Sequence, residues 1–185
     1  IGNALIEALA AVHVIEPVPA DLDDTVKGAT FVPRQIARWR KVRREQSVRA
    51  LPLIETLGEW LAEHAPEPEA IRIVHCDYHL DNVLMDADQP RVNAILDWEM
   101  ATLADPLVDL GLVTALWNRD ERGPLGFAFV QRISNASHAP TATELGNRWS
   151  AATGLSTERL GYYQAFGLWR LAAIVEGAYV LHRQG

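Results

Sequence analysis

Apolar residues recur at Ile1, Leu5, Ile6, Leu9 and Val12, the three-and-four spacing of one helical face, which predicts a helix over residues 1–15. Pro17-Val18-Pro19 stops it, because proline lacks the backbone donor and disfavours helix in the residue before it. Residues 17–31 read as a polar connection. A second helix is predicted from Pro33 to Gln46, with the proline in its first turn. A third is predicted from Leu53 to His64, with Leu53, Ile54, Leu57, Trp60, Leu61 and His64 on one face and Pro66-Glu67-Pro68 ending it.

The period then shortens. Ile71-Arg72-Ile73-Val74 alternates and is rich in β-branched residues, as a strand requires. Val83-Leu84-Met85 and Val92-Asn93-Ala94-Ile95-Leu96 flank the turn-forming run Asp86-Ala87-Asp88-Gln89-Pro90 and read as a hairpin. Helical spacing returns at Asp105-Pro106, a cap followed by a first-turn proline, and continues through Leu107, Leu110, Val113, Thr114 and Trp117. Further helices are predicted over 125–134, 143–153 and 157–182. In the last, Ser156 is the candidate cap, and Leu160, Tyr163, Gly167, Leu171, Ile174, Ala178 and Leu181 share a face. The fold class expected is mainly α with a small β-hairpin insert.

Composition narrows the function classes. Hydrophobic residues make up 49% and charged residues 22% of 185, the balance of a folded globular chain. A net charge of -7 argues against nucleic acid as partner, since phosphate backbones require a basic surface. The single cysteine, Cys76, excludes a disulfide framework within the chain and a multi-cysteine zinc site. No apolar run approaches the roughly 18 residues of a membrane span, and no signal-peptide pattern opens the chain, so no membrane partner and a cytoplasmic location are expected. The chain starts inside a helical pattern without a methionine, which suggests a piece of a longer protein. Oligomeric state is left open.

The chemistry concentrates in Val74-His75-Cys76-Asp77-Tyr78-His79-Leu80-Asp81-Asn82-Val83-Leu84 and in Ala94-Ile95-Leu96-Asp97-Trp98-Glu99. A hairpin folds back, so the loops at its two ends can converge and bring Asp77 near Asp97. Like charges that close raise each other's pKa unless a cation lies between them. Magnesium takes oxygen ligands such as carboxylates, amides and phosphates, and Asn82 offers an amide oxygen without further charge. A proton acceptor beside a magnesium-holding pair is the equipment of phosphoryl transfer, which depends on positioning and charge neutralisation.

His75-x-Asp77-x-x-x-x-Asn82, a hydrophobic hairpin and Asp97 resemble the catalytic and metal-binding loops of the aminoglycoside phosphotransferase and choline kinase families, small-molecule relatives of the protein kinases. Those families commonly have His-Gly-Asp in the first loop; here Cys76 replaces the glycine. Arg38-Trp39, and Asp97-Trp98-Glu99 followed by the run from Thr102 to Leu110, resemble most the kinase-like domains associated with acyl-CoA dehydrogenases. The resemblance implies the C-terminal lobe of a protein-kinase-like fold over residues 1–185, with the N-terminal nucleotide lobe absent from this chain. It implies Asp77 as catalytic base, His75 as the brace of its loop, and Asn82 and Asp97 as magnesium ligands. Asp109 would accept hydrogen bonds from the catalytic-loop backbone, and His79 and Glu99 would face the site or acceptor. ATP would be the phosphoryl donor, with GTP left open, and a small-molecule hydroxyl the acceptor. A hydroxyacyl-CoA is favoured by the dehydrogenase resemblance; aminoglycosides, choline-like alcohols and sugars stay open. The isolated lobe is expected to bind ATP weakly and to turn over nothing.

Two other functions compete. His75, Asp77, His79 and Asp97 could hold a transition metal and activate water in a metal-dependent hydrolase, or the chain could be a non-catalytic, pseudokinase-like binding module. Among single features, Asp105 reads as a helix cap and Cys76 as a buried inert thiol. Trp149, Tyr162, Tyr163, Phe166 and Trp169 read as core. The basic run Arg34, Arg38, Arg40, Lys41, Arg43, Arg44 and Arg49 is either a solvated helix face or a surface that attracts an anionic acceptor.

Overall fold

The computed structural model describes residues 1–16, 27–117 and 132–184. Among the described residues, the helices α1 (Gly2–His13), α2 (Phe31–Gln46), α3 (Pro52–Glu63), α4 (Leu107–Leu116), α5 (Ala142–Thr153) and α6 (Leu160–Gln184) surround the short strands β1 (Arg72–Val74), β2 (Val83–Met85), β3 (Val92–Ile95) and β4 (Thr102–Ala104). The mainly helical class is as expected, and no helix among the described residues is long and apolar enough to cross a membrane. Most of the helix predicted over 125–134 lies outside the described residues; Arg132–Asn135 forms a short 3-10 turn.

Helix α4 is the hub. Nearly every residue from Leu107 to Ala115 is buried, and apart from Asp109 and Thr114 they are apolar or glycine, as in a helix inside a core. Its most extensive neighbour is α6, while α1 packs on α5 and β1 on α1. Helix α4 starts one residue later than expected, with Pro106 as its cap position, and Asp105 precedes it: its Oδ1 accepts the Leu107 amide at 2.8 Å and its Oδ2 accepts the Tyr163 hydroxyl at 2.9 Å. Burial holds the Asp105 carboxyl above its ordinary range. Leu5, Ile6, Leu9, Ile36, Leu61, Leu110, Leu145, Trp149 and Phe166 fill the centre.

The crossing of α4 and α6 is close because Gly111 has no side chain. A Cβ there would lie 2.6 Å from the backbone carbonyl carbon of Tyr163, which cannot move without shifting the helix. Gly111→Ala is therefore expected to destabilise the chain by about 2 kcal/mol, the overpacking cost outweighing the gain in helix propensity; urea unfolding measures it, and an unchanged midpoint would refute the close crossing.

Two faces differ from expectation. In α3, Leu61 and Gly58 are buried, but Leu53 is 79% exposed and Trp60 43%. In α6 the buried face runs through Tyr163, Phe166, Trp169, Arg170, Ala173, Glu176 and Val180, whereas Ile174 and Leu181 point outward. Polar residues take inward positions because each has a partner there: Arg170 donates to the Cys76 carbonyl, and Glu176 receives Arg49 at 2.6 and 3.1 Å. Helix α5 starts with a capping box that the sequence reading missed, Thr141 and Glu144 bonding each other's backbone amides.

The strands form two antiparallel ladders, one inside the other. The outer pairs β1 with β4 (Arg72 opposite Ala104, Val74 opposite Thr102) and the inner pairs β2 with β3 (Val83 opposite Ile95, Met85 opposite Val92). Strand β4 was not expected. Asp86 closes the hairpin turn by accepting the Asp88 and Gln89 amides and the Arg91 guanidinium, contacts that hold its carboxyl down to about 2. Loop 75–82 leaves the outer ladder and enters the inner one; loop 96–101 leaves the inner and returns to the outer. The two loops therefore span the same gap, side by side.

Candidate active site

The nested ladders explain why the loops meet, and side chains lock them. The Leu96 amide donates to the Asn82 carbonyl at 2.8 Å, extending the inner ladder by one bond. His75 bolts the loops across: its Nδ1 accepts the Asp77 amide at 3.3 Å, so Nε2 carries the hydrogen and donates to the Leu96 carbonyl at 2.6 Å. The Trp98 ring packs on the His75 ring with centroids 4.9 Å apart. His75 is buried and both its ring nitrogens are engaged with backbone. It cannot also ligate a metal, and no group of three or more His, Cys, Asp and Glu among the described residues could hold one. The four-ligand hydrolase constellation of His75, Asp77, His79 and Asp97 is therefore not formed.

Asp77, Asn82 and His79 make a half-buried triangle. The Asn82 amide nitrogen donates to the Asp77 carbonyl at 2.9 Å and to its Oδ2 at 3.2 Å, and lies 3.2 Å from His79 Nε2. His79 Nε2 stands 3.5 Å from Asp77 Oδ2, and its Nδ1 stands 3.4 Å from Asp81 Oδ2. The His79 contact holds the Asp77 carboxyl below its ordinary value, against the opposing effect of burial. The same contact raises His79 above 6.5. The pair's contribution to stability is thus whole between the ordinary values of 3.8 and 6.5. It fades as pH falls through the lowered Asp77 value, and again as pH rises through the raised His79 value. An NMR titration of the His79 ring is expected to show a midpoint above 6.5 that drops in Asp77→Asn; an unchanged midpoint would break the pairing.

Asp97 occupies the left-handed region at φ 62°, ψ 58°, and begins the short turn Trp98–Met100. Its side chain is exposed and accepts no hydrogen bond from the described residues; Glu99 is exposed in the same turn. With the Asn82 nitrogen turned to Asp77, the Asn82 oxygen is likewise without a donor. Two oxygen atoms without donors among the described residues, on adjacent loops, one carboxylate and one amide, fit a hard cation. Magnesium in phosphate-transferring sites takes only one or two carboxylates, with the phosphates completing its shell.

Beneath the loops lies a buried polar chain of which only Asp109 is expected from the sequence. Asp109 Oδ2 accepts the His75 amide at 2.6 Å, and its Oδ1 accepts the Cys76 amide at 2.7 Å. His13 Nε2 lies 3.3 Å from the same carboxylate, while Trp149 Nε1 donates to His13 Nδ1 at 3.0 Å. With Nδ1 accepting, the hydrogen of His13 sits on Nε2 and points at Asp109. Arg170 donates to the Cys76 carbonyl, and the Tyr78 hydroxyl donates to the Leu5 carbonyl at 2.7 Å. These bonds hold Cys76 at φ 69°, a conformation that favours glycine. Its thiol is buried and pushed up to about 12, chiefly by desolvation, as an inert thiol should be. His13, Trp149 and Arg170 carried no local signal, because their roles come from contacts across 94 to 136 residues of chain.

Known proteins resemble this chain in sequence and in fold. The model of the phosphotransferase enzyme family matches residues 1–145. Acyl-CoA dehydrogenase family member 10 of Mus musculus is 29% identical over 180 residues, which cover 97% of this chain but 17% of that protein. The crystal structure of a candidate aminoglycoside phosphotransferase from Ralstonia eutropha JMP134 superposes with a TM-score of 0.76 at 27% identity, over 100% of this chain and 56% of that one. A type I macrolide 2'-phosphotransferase superposes with a TM-score of 0.61 at 21% identity, over 95% of this chain and 54% of that one, a likeness of fold. The chain thus spans about a sixth of the dehydrogenase relative and little more than half of the structural neighbours.

Proposed function

Since the chain belongs to the phosphotransferase enzyme family, we propose that it supplies the catalytic loops of a kinase that moves the γ-phosphoryl group of ATP to a hydroxyl of a small molecule. The observation that carries this reading is the contrast between braced and unbraced groups on neighbouring loops. His75 and Asp109 turn every side-chain polar atom to backbone, whereas the half-buried Asn82 oxygen and the exposed Asp97 carboxylate accept no hydrogen bond from the described residues.

In this reading Asp77 is the base. Its carboxylate is half exposed and lies within reach of an incoming hydroxyl, and Asn82 fixes its rotamer through Oδ2. It orients the acceptor oxygen and takes its proton as the new bond to phosphorus forms. Asn82 and Asp97 would hold magnesium, which neutralises charge on the phosphates when bound. His75 keeps the two loops in register, and His79 holds the resting Asp77 ionised. Positioning of this kind matters because a displacement of about 1 Å can cost a hundredfold in rate.

For the acceptor, the likeness to acyl-CoA dehydrogenase family members favours a hydroxyacyl thioester of coenzyme A over an aminoglycoside, a choline-like alcohol or a sugar. The test uses the protein that carries this chain, with magnesium, ATP and each acceptor class, reading phosphorylated product by mass spectrometry. Product with one class and ADP in equal amount is expected. ATP consumption without any phosphorylated acceptor, or none at all, would overturn the reading.

A further inference from the structure

Away from the catalytic loops, a cavity of about 150 Å³ opens between α2, α3 and α6. Arg40, Arg43 and Arg44 line it from α2, Glu55 and Glu59 from α3, and Trp169 from α6. Its walls are fixed. Trp169 Nε1 donates to the Ile54 carbonyl at 2.8 Å, and Gly58 lets the two helices close, since a Cβ there would come within 2.9 Å of the Trp169 ring.

Arg43 is the anomaly. Its side chain is 93% buried, by difference from a relative exposure of 7%, and its Nε and Nη1 find no acceptor. The nearest carboxylate, Glu55, is 3.7 Å from Nη2 and largely exposed, and the Ser47 hydroxyl is 3.5 Å away. Glu59 is taken by Arg40 at 3.2 Å, and the buried Glu176 by Arg49. A buried guanidinium without good partners is costly, and removing it usually stabilises a protein that gains nothing from it. The cavity beside it exceeds by about tenfold the roughly 10–15 Å³ that one water needs, so a polyatomic guest fits.

We propose that this cavity is an oxyanion site that binds a phosphate group. Glu55 at the rim reaches only Nη2, at 3.7 Å, and leaves Nε and Nη1 without an acceptor, so the tethered carboxylates do not satisfy the buried guanidinium. A tetrahedral dianion free to enter can face Arg40, Arg43 and Arg44 together, and guanidinium forks match phosphate oxygens. The three arginines exceed the two glutamates by one charge, and the incoming dianion displaces Glu59 from Arg40. The site communicates with the loops through α6: Trp169 lines it, and the next residue, Arg170, holds the Cys76 carbonyl. The phosphate has two sources, inorganic phosphate or the monoester of an organic ligand, and the cavity chemistry is common to both.

Calorimetric titration in EDTA, at constant ionic strength, uses inorganic phosphate and phenyl phosphate as probes. Saturable binding of at least one is expected, weakened about tenfold or more in Arg43→Met, which removes the buried charge-assisted contact, and unaltered in Asp97→Ala. Tighter binding of the ester assigns the site to an organic ligand; equal binding assigns it to phosphate itself. Phosphate should raise the melting temperature of the native chain and not that of Arg43→Met. Should Arg43→Met not fold, Arg44→Gln at the exposed rim is expected to weaken binding by a smaller factor. No saturable binding, or binding that Arg43→Met and Arg44→Gln leave intact, would overturn the proposal. These readouts need no turnover, so they stand or fall apart from the kinase reading.

Discussion

Asp77→Asn is expected to lower kcat about a thousandfold in the protein that carries this chain, within the range that a positioned general base supplies. The substitution is nearly isosteric, and the side chain is half exposed, so the fold should not suffer. The Asn82 amide can still donate to the new amide oxygen, which preserves the loop. What disappears is the proton acceptor and the charge beside His79. KM for ATP should therefore move little while kcat collapses. Asp97→Ala is expected to differ: it deletes a proposed metal ligand, so its loss should deepen as magnesium is lowered and ease in part as magnesium is raised. Full turnover by Asp77→Asn would remove the base from residue 77. A KM effect alone would make that residue a binding group.

The largest effect on stability is expected at Asp109. Asp109→Ala strands two backbone amides, those of His75 and Cys76, and the His13 ring in a dry interior. Breaking a buried network of this kind costs about 3–5 kcal/mol, a large share of the roughly 5–15 kcal/mol that holds a domain together. Asp109→Asn keeps one acceptor and should cost about half as much, because its amide nitrogen opposes one backbone donor. Urea denaturation measures both. If Asp109→Ala unfolds at the wild-type midpoint, the bonds from the helix to the loop are not formed in solution.

The parts of this structure visible in the sequence are those written in local patterns. The hairpin around Asp86 shows in its alternating flanks and its turn residues, and the start of α4 shows in Asp105-Pro106. Strand β4 did not show, because Thr102-Leu103-Ala104 is three residues long and acquires strand geometry only by pairing with Arg72–Val74. The inward face of α6 was misjudged for a related reason. Periodicity counts Ile174 and Leu181 as core and Arg170 and Glu176 as surface, yet a buried arginine or glutamate is tolerable once a carbonyl or a guanidinium meets it. At the site, the spacing from His75 to Asn82 marks the loop, while Asp109 as its support comes from the family resemblance alone. His13 and Trp149 stayed hidden, since a histidine and a tryptophan on apolar faces look like ordinary core until their ring nitrogens are seen to face each other.

The bonds that set the loop around Asp77 come from residues 5, 13, 109 and 170, on three helices scattered along the chain. Each tie closes a large span of polymer, and each such closure demands entropy before it returns enthalpy. The loops of the segment from His75 to Glu99 are therefore held in part by contacts that lie outside it. Chain synthesis must pass Arg170 before the last tie can form, so the loop around Asp77 is fully held only once that helix has docked.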